Sequence, residues 1–226
     1  LEMALQIADK EPGTTITAVS IGPATAEDTL RKALALKATA GVHIKVDAPA
    51  HPVPTDIARL LAAAIRKLAP SDLVMLGRES ADWGTGQTGG LLAEELGLPC
   101  LNFVDRIEHT PGGDPPLVLR RQTDTGWERL SATPPLVLTV TNDEHNVPRM
   151  PKTRDVMMSY RQTLTVWTPA DLGLPEAFTS ARADAEVVEL SIPSADVQCE
   201  FATGRTTEEK VDAFAKRLLD VVRAGS

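Results

Sequence analysis

The stretch LVMLGRESADWGTGQTGGLLAEELGLP, residues 73–99, contains the pattern on which the fold prediction depends. Its first residues are an apolar run that ends at Gly77, which is typical of a strand buried on both faces of a sheet. From residue 87 the apolar positions follow a helical period, and Gly97 marks the end of that helix. A strand, a glycine-rich loop and a helix in this order are typical of a phosphate-binding turn, but the lysine of a P-loop is absent.

Strands and helices alternate along the first hundred residues. The patterns predict strands at 14–24, 42–48 and 72–77, and helices at 25–38, 55–70 and 87–98. We expect Thr25 and Thr55 to cap the first two of these helices. An opening helix is also predicted, with an apolar face formed by Leu1, Ala4, Leu5 and Ala8. This alternation predicts an α/β fold with a doubly wound, mostly parallel sheet, in which ligands bind beyond the carboxyl ends of the strands.

Residues 101–143 follow a different pattern. Short extended segments separated by turn sequences predict an antiparallel excursion, with strands at 101–110, 117–123, 126–133 and 135–143. TDTG, residues 123–126, is a hairpin turn, and the last segment is expected to return to the main sheet. From 144 to 163 we expect an irregular chain, and a capped amphipathic helix is predicted at 206–224.

The composition argues against several classes of function. The chain has 226 residues, of which 42% are hydrophobic and 24% charged, as in ordinary globular proteins. A net charge of -8 argues against nucleic acid as the main partner, because phosphate backbones require a basic face. We expect no membrane insertion, because no apolar run reaches about 18 residues. Two distant cysteines, Cys100 and Cys199, and scattered histidines predict neither a metal site nor catalytic residues, and a cytosolic or mitochondrial-matrix protein is expected.

The loop GRESADWGTGQT allows two interpretations. In the first, Gly84, Gly86 and Gly89 let the backbone approach an anion, and the first-turn amides of the next helix donate to phosphate. The hydroxyls of Thr85 and Thr88 would add donors, and Asp82 would accept from a ribose hydroxyl or stabilise the loop. In the second, this is an ordinary loop in which Thr85 or Thr88 caps the helix. Without the lysine, a nucleotide would be held and not hydrolysed.

The segment NVPRMPKTRDVMMSYRQT, residues 146–163, is a second candidate for function. Its basic residues are Arg149, Lys152, Arg154 and Arg161. A cationic patch on an acidic protein can steer an acidic partner, and flexible methionines suit adaptable surfaces. The alternative is a long loop with Met157 and Met158 packed into the core, and chemistry alone favours this alternative.

Several segments, taken in chain order, resemble the beta (small) subunit of electron transfer flavoprotein. They are TAVSIGPA (17–24), DTLRKALAL (28–36), DLVMLGRESADWGTGQTGGLLAEELGLP (72–99), PPLVLTVTNDEHNVPRMPKTRDVMMSYRQT (134–163) and TPADLGL (168–174). The resemblance covers nearly the whole chain, and the order of the segments is more specific than any glycine pattern. It implies an adenine-nucleotide α-hydrolase-like domain over 1–174 without the family's first strand in this numbering. It also implies a C-terminal arm with a helix over 175–226.

The resemblance further implies cofactors and partners. An alpha subunit would carry the redox-active FAD, and the C-terminal helix of this chain would help to hold that subunit. This chain would bury a structural AMP. The positions implied to contact it are Ile21, Gly77, Arg78, Glu79, Ser80, Ala81, Asp82, Trp83, Gly84, Thr85, Gly86, Gln87 and Thr88. A recognition loop at 141–163 would dock a flavoprotein dehydrogenase. The docking positions in it are Met150, Lys152, Thr153, Arg154, Val156 and Met157.

The nucleotide loop departs from the family pattern. Many members carry a run of acids followed by NQTG where this chain has DWGTGQTG, residues 82–89. Asp82 remains from the acids, and Gly86 replaces the asparagine. In the electron-bifurcating branch a second FAD replaces AMP, and the loop there tends to carry a threonine like Thr85. AMP and a second FAD therefore both remain open, and Trp83 would either stack on a ring system or serve packing.

The recognition loop departs from the pattern as well. The family normally places there a leucine that inserts into the dehydrogenase, and Thr153 takes that position in this chain. Met150, Val156 or Met157 would then act as the apolar anchor. The sequence leaves three hypotheses for the function. They are an electron-carrier subunit that holds AMP, a bifurcating member with a second FAD, and a stand-alone adenine-nucleotide-binding protein.

Overall fold

The computed structural model describes residues 1–47, 53–68, 70–109, 112–113, 117–175, 189, 191 and 199–224. The chain divides into two compact units, Leu1–Glu186 and Val187–Ser226. The domain boundary predicted at 174/175 stays a prediction. Most of the arm predicted between 175 and the last helix lies outside the described residues.

Helices and strands alternate through the first hundred residues, as the sequence predicts. The helices are α1 (Glu2–Ala8), α2 (Glu27–Ala35), α3 (Pro54–Lys67), α4 (Thr88–Leu96) and α5 (Thr153–Ser159). The strands are β1 (Thr17–Gly22), β2 (Ala40–Lys45), β3 (Leu73–Gly77), β4 (Cys100–His109), β5 (Leu117–Thr123), β6 (Gly126–Ala132), β7 (Leu136–Val140) and β8 (Thr165–Trp167). The second unit contains α6 (Thr207–Ala224).

The strands form two sheets within the first unit. One has the order β1-β2-β8 and is parallel throughout. The other has the order β3-β7-β4-β5-β6, in which β3, β7 and β4 are parallel and β5 and β6 are antiparallel. The predicted α/β fold, the antiparallel excursion and the return of 135–143 to the parallel strands are confirmed. In the described residues the single main sheet of the prediction is two sheets, one with terminal strands β1 and β8 and the other with terminal strands β3 and β6.

Helix α3 connects the two sheets through its side chains. Leu60 and Ala64 pack with Ile21 of β1, whereas Ala58 and Ala62 pack with Val74 and its neighbours from β3 and α4. The alanines bring the helix close to the strands, because their side chains add little bulk. The same helix therefore covers strands from both sheets.

Helix α1 packs against the five-stranded sheet with a face that differs from the predicted one. Met3, Leu5 and Ile7 are buried, whereas Leu1 is 45% exposed. Met3 belongs to a cluster with buried residues of β4, β5 and β7. The helix is covered on more than one side, so its apolar positions do not follow a single stripe.

Two helices begin at residues other than the predicted caps. Thr25 lies inside a 3-10 turn, Ala24–Ala26, and α2 follows without a side-chain cap. Helix α3 begins at Pro54, so Thr55 is its second residue. Proline suits this position because the first turn of a helix leaves its N–H groups unpaired in any case. The predicted end of α4 is confirmed, since Gly97 follows Leu96 with φ 68° in the left-handed region.

Three predicted segments also differ in length, burial or structure. Strand β2 ends at Lys45, and residues 41–44 are all buried instead of alternating. Residues 73–76 of β3 are half-buried, because β3 is the terminal strand of its sheet. The segment 144–163 is not wholly irregular, since it contains α5.

A candidate nucleotide loop and a candidate docking surface

The glycine-rich loop connects the carboxyl end of β3 to the start of α4. The amide of Arg78 donates to the carbonyl of Val140 at 2.9 Å, which fixes the loop's first residue to the end of β7. Residues 77–87 are exposed. The loop therefore lies at the edge of the parallel strands where α/β proteins bind ligands.

Two glycines in the loop adopt conformations that other residues rarely take. Gly84 has φ 58° and Gly86 has φ 61°. A side chain in this region costs about 1–2 kcal/mol, so the loop path depends on glycine at both positions. Gly84 also donates its amide to the carbonyl of Ser80 at 3.1 Å, which closes a turn within the loop.

Asp82 stabilises the same turn. Its carboxylate accepts a hydrogen bond from the amide of Trp83 at 2.8 Å. A hydrogen bond from the hydroxyl of Ser80, followed by the one from Trp83, holds the pKa of Asp82 below its usual range. Of the two roles considered for Asp82, stabilisation of the loop is the one for which the structure contains hydrogen bonds.

The first turn of α4 lacks a side-chain cap. Gln87 is its N-cap residue, and this position makes no side-chain capping hydrogen bond. The interpretation in which Thr85 or Thr88 caps the helix is therefore wrong, and Thr88 is the first residue of the helix. Uncapped amides at a helix N-terminus are donors suited to an anion, and the helix dipole favours negative charge at that end.

Gly89 lets α4 approach the sheet closely. It is buried in the first turn of α4, and a Cβ at this position would lie closer than 3.0 Å to Cγ2 of Thr139 on β7. The hydroxyl of Thr139 bonds to β4 instead of to the helix. The position of the α4 N-terminus over the sheet edge thus depends on this glycine.

Ile21 lies near the carboxyl end of β1, and its side chain is half-buried. It packs in a cluster with Ile44 and Leu60. The contact between Ile21 and a nucleotide stays a prediction.

Phe103 lies at the same edge and was not predicted as a site residue. It has φ 61°, sits where the register of β4 against β7 shifts, and is 44% exposed. The guanidinium of Arg78 lies over its ring, 5.8 Å from the centroid. The sequence LNFVDR gives no local signal of this conformation, because it has the composition of an ordinary strand.

The candidate docking surface consists of the exposed residues between 147 and 160. Its large apolar members and their exposed fractions are Val147 67%, Met150 89%, Val156 37%, Met157 65%, Met158 43% and Tyr160 64%. The alternative in which the two adjacent methionines are packed into the core is therefore wrong. Lys152, Thr153 and Arg154 are also exposed, and Thr153 is the first residue of α5.

Two sets of contacts hold this surface in place. Arg149 donates to the carboxylates of Glu2 and Asp9 on and after α1, with Nη2–oxygen distances of 2.8 Å to each. Arg31 of α2 donates to the carbonyls of Ser159 at 2.6 Å and Gln162 at 2.5 Å, which lie at and just after the C-terminal end of α5. Arg149 was predicted as part of a cationic patch, but its charge is neutralised by this pair of acids.

A buried ion pair supports the start of the same segment. Asp105 on β4 is 3% exposed and accepts from Nε of Arg120 at 2.7 Å, and Arg120 also donates to Asp143 at 2.9 Å. These bonds raise the pKa of Arg120, so the guanidinium remains charged. Asn146 donates to the carbonyls of Asp105 and Thr141, which links the loop to the sheet.

Helix α6 in the second unit begins with the predicted cap. Thr206 Oγ1 accepts from the amide of Glu209 at 3.2 Å, and the Glu209 carboxylate accepts from the amide of Arg205 at 2.6 Å. Its apolar stripe is more than half exposed and comprises Val211, Phe214, Leu218, Leu219 and Val222.

The described ranges contain neither a metal-binding cluster nor a membrane-spanning helix. No group of three or more histidine, cysteine, aspartate or glutamate side chains is arranged there to hold a metal ion. Among the helices of those ranges, none has the length and apolar character needed to span a membrane. Burial raises the pKa of Cys100, which is half-buried.

Comparison with known proteins gives a consistent result. A family model described as the electron transfer flavoprotein domain matches residues 1–172. The chain is 32% identical over 219 residues to caffeyl-CoA reductase-Etf complex subunit CarD of Acetobacterium woodii, covering 96% of this chain and 82% of that protein.

Two further relatives carry the name electron transfer flavoprotein subunit beta. The protein from Mycobacterium tuberculosis is 34% identical over 178 residues, which span 77% of this chain and 65% of the relative. The protein from Thermoanaerobacterium thermosaccharolyticum is 31% identical over 220 residues, which span 96% of this chain and 82% of the relative.

Proposed function

The chain belongs to the electron transfer flavoprotein family as a beta-type subunit, and from this premise we propose that it holds an adenine nucleotide at residues 77–88. It would do so while an alpha-type partner carries the reactive FAD. The family and its beta subunits are named for electron transfer, and we propose that this chain is an electron-carrier subunit. Its role would be to hold a nucleotide, to support the FAD-carrying alpha-type subunit and to dock the dehydrogenase.

The observation that carries the nucleotide proposal is the uncapped first turn of α4 behind two left-handed glycines. The amides of that turn and the hydroxyls of Thr85 and Thr88 suit a phosphate group. Asp82 is held within the loop by its own hydrogen bonds, so its charge is not directed at the phosphate. The residues present therefore fit a nucleotide that is held and not cleaved.

The exposed apolar surfaces are assigned to partners. The stripe of α6 suits the alpha-type subunit, since a helix with a half-exposed apolar face requires a partner for that face. The docking surface between 147 and 160 suits a flavoprotein dehydrogenase. Met150 is its most exposed apolar residue, and it follows directly after the anchored Arg149. A protruding flexible side chain on a fixed backbone is a suitable anchor, because little loop ordering is needed on binding.

A second FAD in place of AMP is the alternative function. It is favoured by the similarity to CarD over 96% of this chain, since that protein is named as part of a reductase-Etf complex. Thr85 in the loop is the other observation in its favour. FAD bound here would supply a second redox centre, and this chain's residues would hold its phosphate and ribose portions.

The decisive experiment is cofactor analysis of the heterodimer. The chain is co-expressed with the alpha-type subunit from the same organism, and the purified complex is denatured to release its nucleotides. We expect one FAD and one AMP per heterodimer. Two FAD would establish the bifurcating alternative. A monomeric chain that is stable without a partner and active on ATP would overturn the proposal in favour of a stand-alone nucleotide-binding protein.

The docking role has its own test. Residues 150–158 are replaced by a glycine and serine linker in the heterodimer, and electron transfer from the dehydrogenase is measured. We expect transfer to be lost while the heterodimer remains assembled. Met150→Ser should weaken transfer more than Val147→Ser, which removes an exposed apolar residue before the anchor. Unchanged rates in the linker variant would exclude this surface as the docking site.

A further inference from the structure

Phe103 adopts a backbone conformation that is unfavourable for a bulky residue. Its φ of 61° lies in the left-handed region, where the Cβ atom crowds the following carbonyl. Lys37 is the other such residue that is not glycine in the described part of the chain, and it follows the end of α2, where this conformation is common. Phe103 lies within a strand, so no helix end accounts for it.

The neighbouring strand holds Phe103 in this conformation. Its amide donates to Oγ1 of Thr139 at 3.1 Å, and the same hydroxyl donates to Oδ1 of Asn102 at 3.1 Å. Thr139 is 2% exposed, so its hydroxyl makes both bonds from a buried position. Strained residues persist where their surroundings fix them in this way, and they are concentrated at functional sites.

The strain does not serve to bury the phenylalanine ring. The ring is 44% exposed, and the residue after it, Val104, pairs with Val140 at the level where the nucleotide loop begins. The guanidinium of Arg78, the second residue of that loop counted from Gly77, lies over the ring. The result is an exposed aromatic surface beside the loop, with a cation held against it.

We propose that Phe103 is a stacking platform for the planar ring of the nucleotide that this loop holds. The inference rests on the proposed function, because it requires a nucleotide at residues 77–88. Adenine and isoalloxazine are both flat aromatic systems, so AMP and FAD share the chemistry that Phe103 recognises. Arg78 keeps the phenylalanine ring oriented through its position over the ring.

The test uses the purified heterodimer and three substitutions. Phe103→Gly removes the ring and also relieves the backbone strain, Phe103→Leu removes only the aromatic character, and Phe103→Tyr keeps it. Dissociation of AMP and of FAD is measured separately by equilibrium dialysis. We expect Phe103→Gly and Phe103→Leu to weaken binding of the ligand held by this chain about tenfold or more, the size of one lost base–aromatic stack. Phe103→Tyr should bind like the wild type.

Stability distinguishes a binding role from a structural one. A packing residue replaced by glycine lowers the urea midpoint, whereas Phe103→Gly should leave it unchanged or raise it, because glycine accepts φ 61° without strain. Trp127→Leu is the matched control. Trp127 is also exposed with a guanidinium over its ring, that of Arg120 at 5.5 Å, but it lies on β6 away from the loop. Its replacement should not change nucleotide binding.

Three outcomes would overturn the inference. A wild-type heterodimer without AMP or a second FAD would remove both this inference and the proposed function. If the wild type holds a nucleotide and Phe103→Gly binds it equally well, only the inference fails. A variant that keeps its nucleotide but no longer assembles with the alpha-type subunit would identify Phe103 as a subunit contact.

Discussion

Substituting Gly89 tests the position of α4, on which the nucleotide loop depends. In Gly89→Ala the new Cβ would lie closer than 3.0 Å to Cγ2 of Thr139, whereas carbon atoms in contact are normally about 3.5–4.0 Å apart. Both groups are buried and one is on a strand, so the helix must shift. We expect the free energy of unfolding to fall by about 1–3 kcal/mol, as for other overpacked sites.

Thr139→Ser removes the conflicting methyl group and keeps the hydroxyl that bonds Phe103. By itself this change should cost about 1 kcal/mol, the contribution of one buried methyl. In the double variant the alanine at 89 has room, since the next nearest atom, Cβ of Thr139, is 3.6 Å from the new Cβ. The double variant should therefore be at least as stable as Thr139→Ser alone. The interaction energy between the two substitutions in a double-mutant cycle would then be about 1–3 kcal/mol.

The assay is urea unfolding of the full chain followed by circular dichroism, with Gly90→Ala as the matched control. Gly90 is exposed on the same helix, and a Cβ there meets nothing within 4 Å. The Gly90→Ala substitution should raise the free energy of unfolding by about 0.5–1 kcal/mol, because alanine has the higher helix propensity. If Gly89→Ala is no worse than Gly90→Ala, or if the two changes in the double variant are additive, the close approach of α4 to β7 is refuted.

Two further predictions concern the ion pairs that hold the docking surface. Hydrogen bonds from Arg149 lower the pKa of Glu2 below its ordinary 4.5, so the pair stabilises fully above that pH and is lost as the pH falls through the lower folded value. Arg149→Met should lower the free energy of unfolding by about 1 kcal/mol near neutral pH, because solvent screens an arginine side chain that is 36% exposed. This deficit should vanish in acid, and a pH-independent deficit in urea midpoints would contradict the assignment. Arg120→Met leaves the buried carboxylate of Asp105 without its guanidinium and should lower the free energy of unfolding by about 3–5 kcal/mol. The control, Arg121→Met, breaks an exposed ion pair and should lower it by about 0–1 kcal/mol. Equal losses of stability in the two variants would count against the buried pair.

Elements whose boundaries depend on nearby residues could be predicted from the sequence. Strand β5 occupies 117–123 as predicted, because turn sequences limit it on both sides and TDTG fixes the hairpin. Helix α4 ends where Gly97 permits a left-handed residue. The short helix α5 was missed, because seven residues after a proline carry too little periodicity to distinguish a helix from a loop.

Features that depend on distant residues could not be predicted in this way. The conformation of Phe103 is fixed by Thr139, which lies 36 residues further along the chain. Arg149 has the sequence context of a free cation, but its acidic partner Glu2 is 147 residues away. The exposure of Met157 likewise follows from how α5 packs on α2, and composition alone gave the opposite expectation.

The terminal strands are β1 and β8 in one sheet and β3 and β6 in the other. Within the described ranges each of these terminal strands is hydrogen-bonded to one neighbouring strand, and no strand pairs with its other side. Such edges recruit further strands, and the recruits include copies of the same protein. Strand β3 is apolar apart from its terminal glycine and carries no charge that would oppose pairing. A chain produced without something to cover these edges should therefore form oligomers linked through β-strands, and its yield of monomer should depend strongly on concentration.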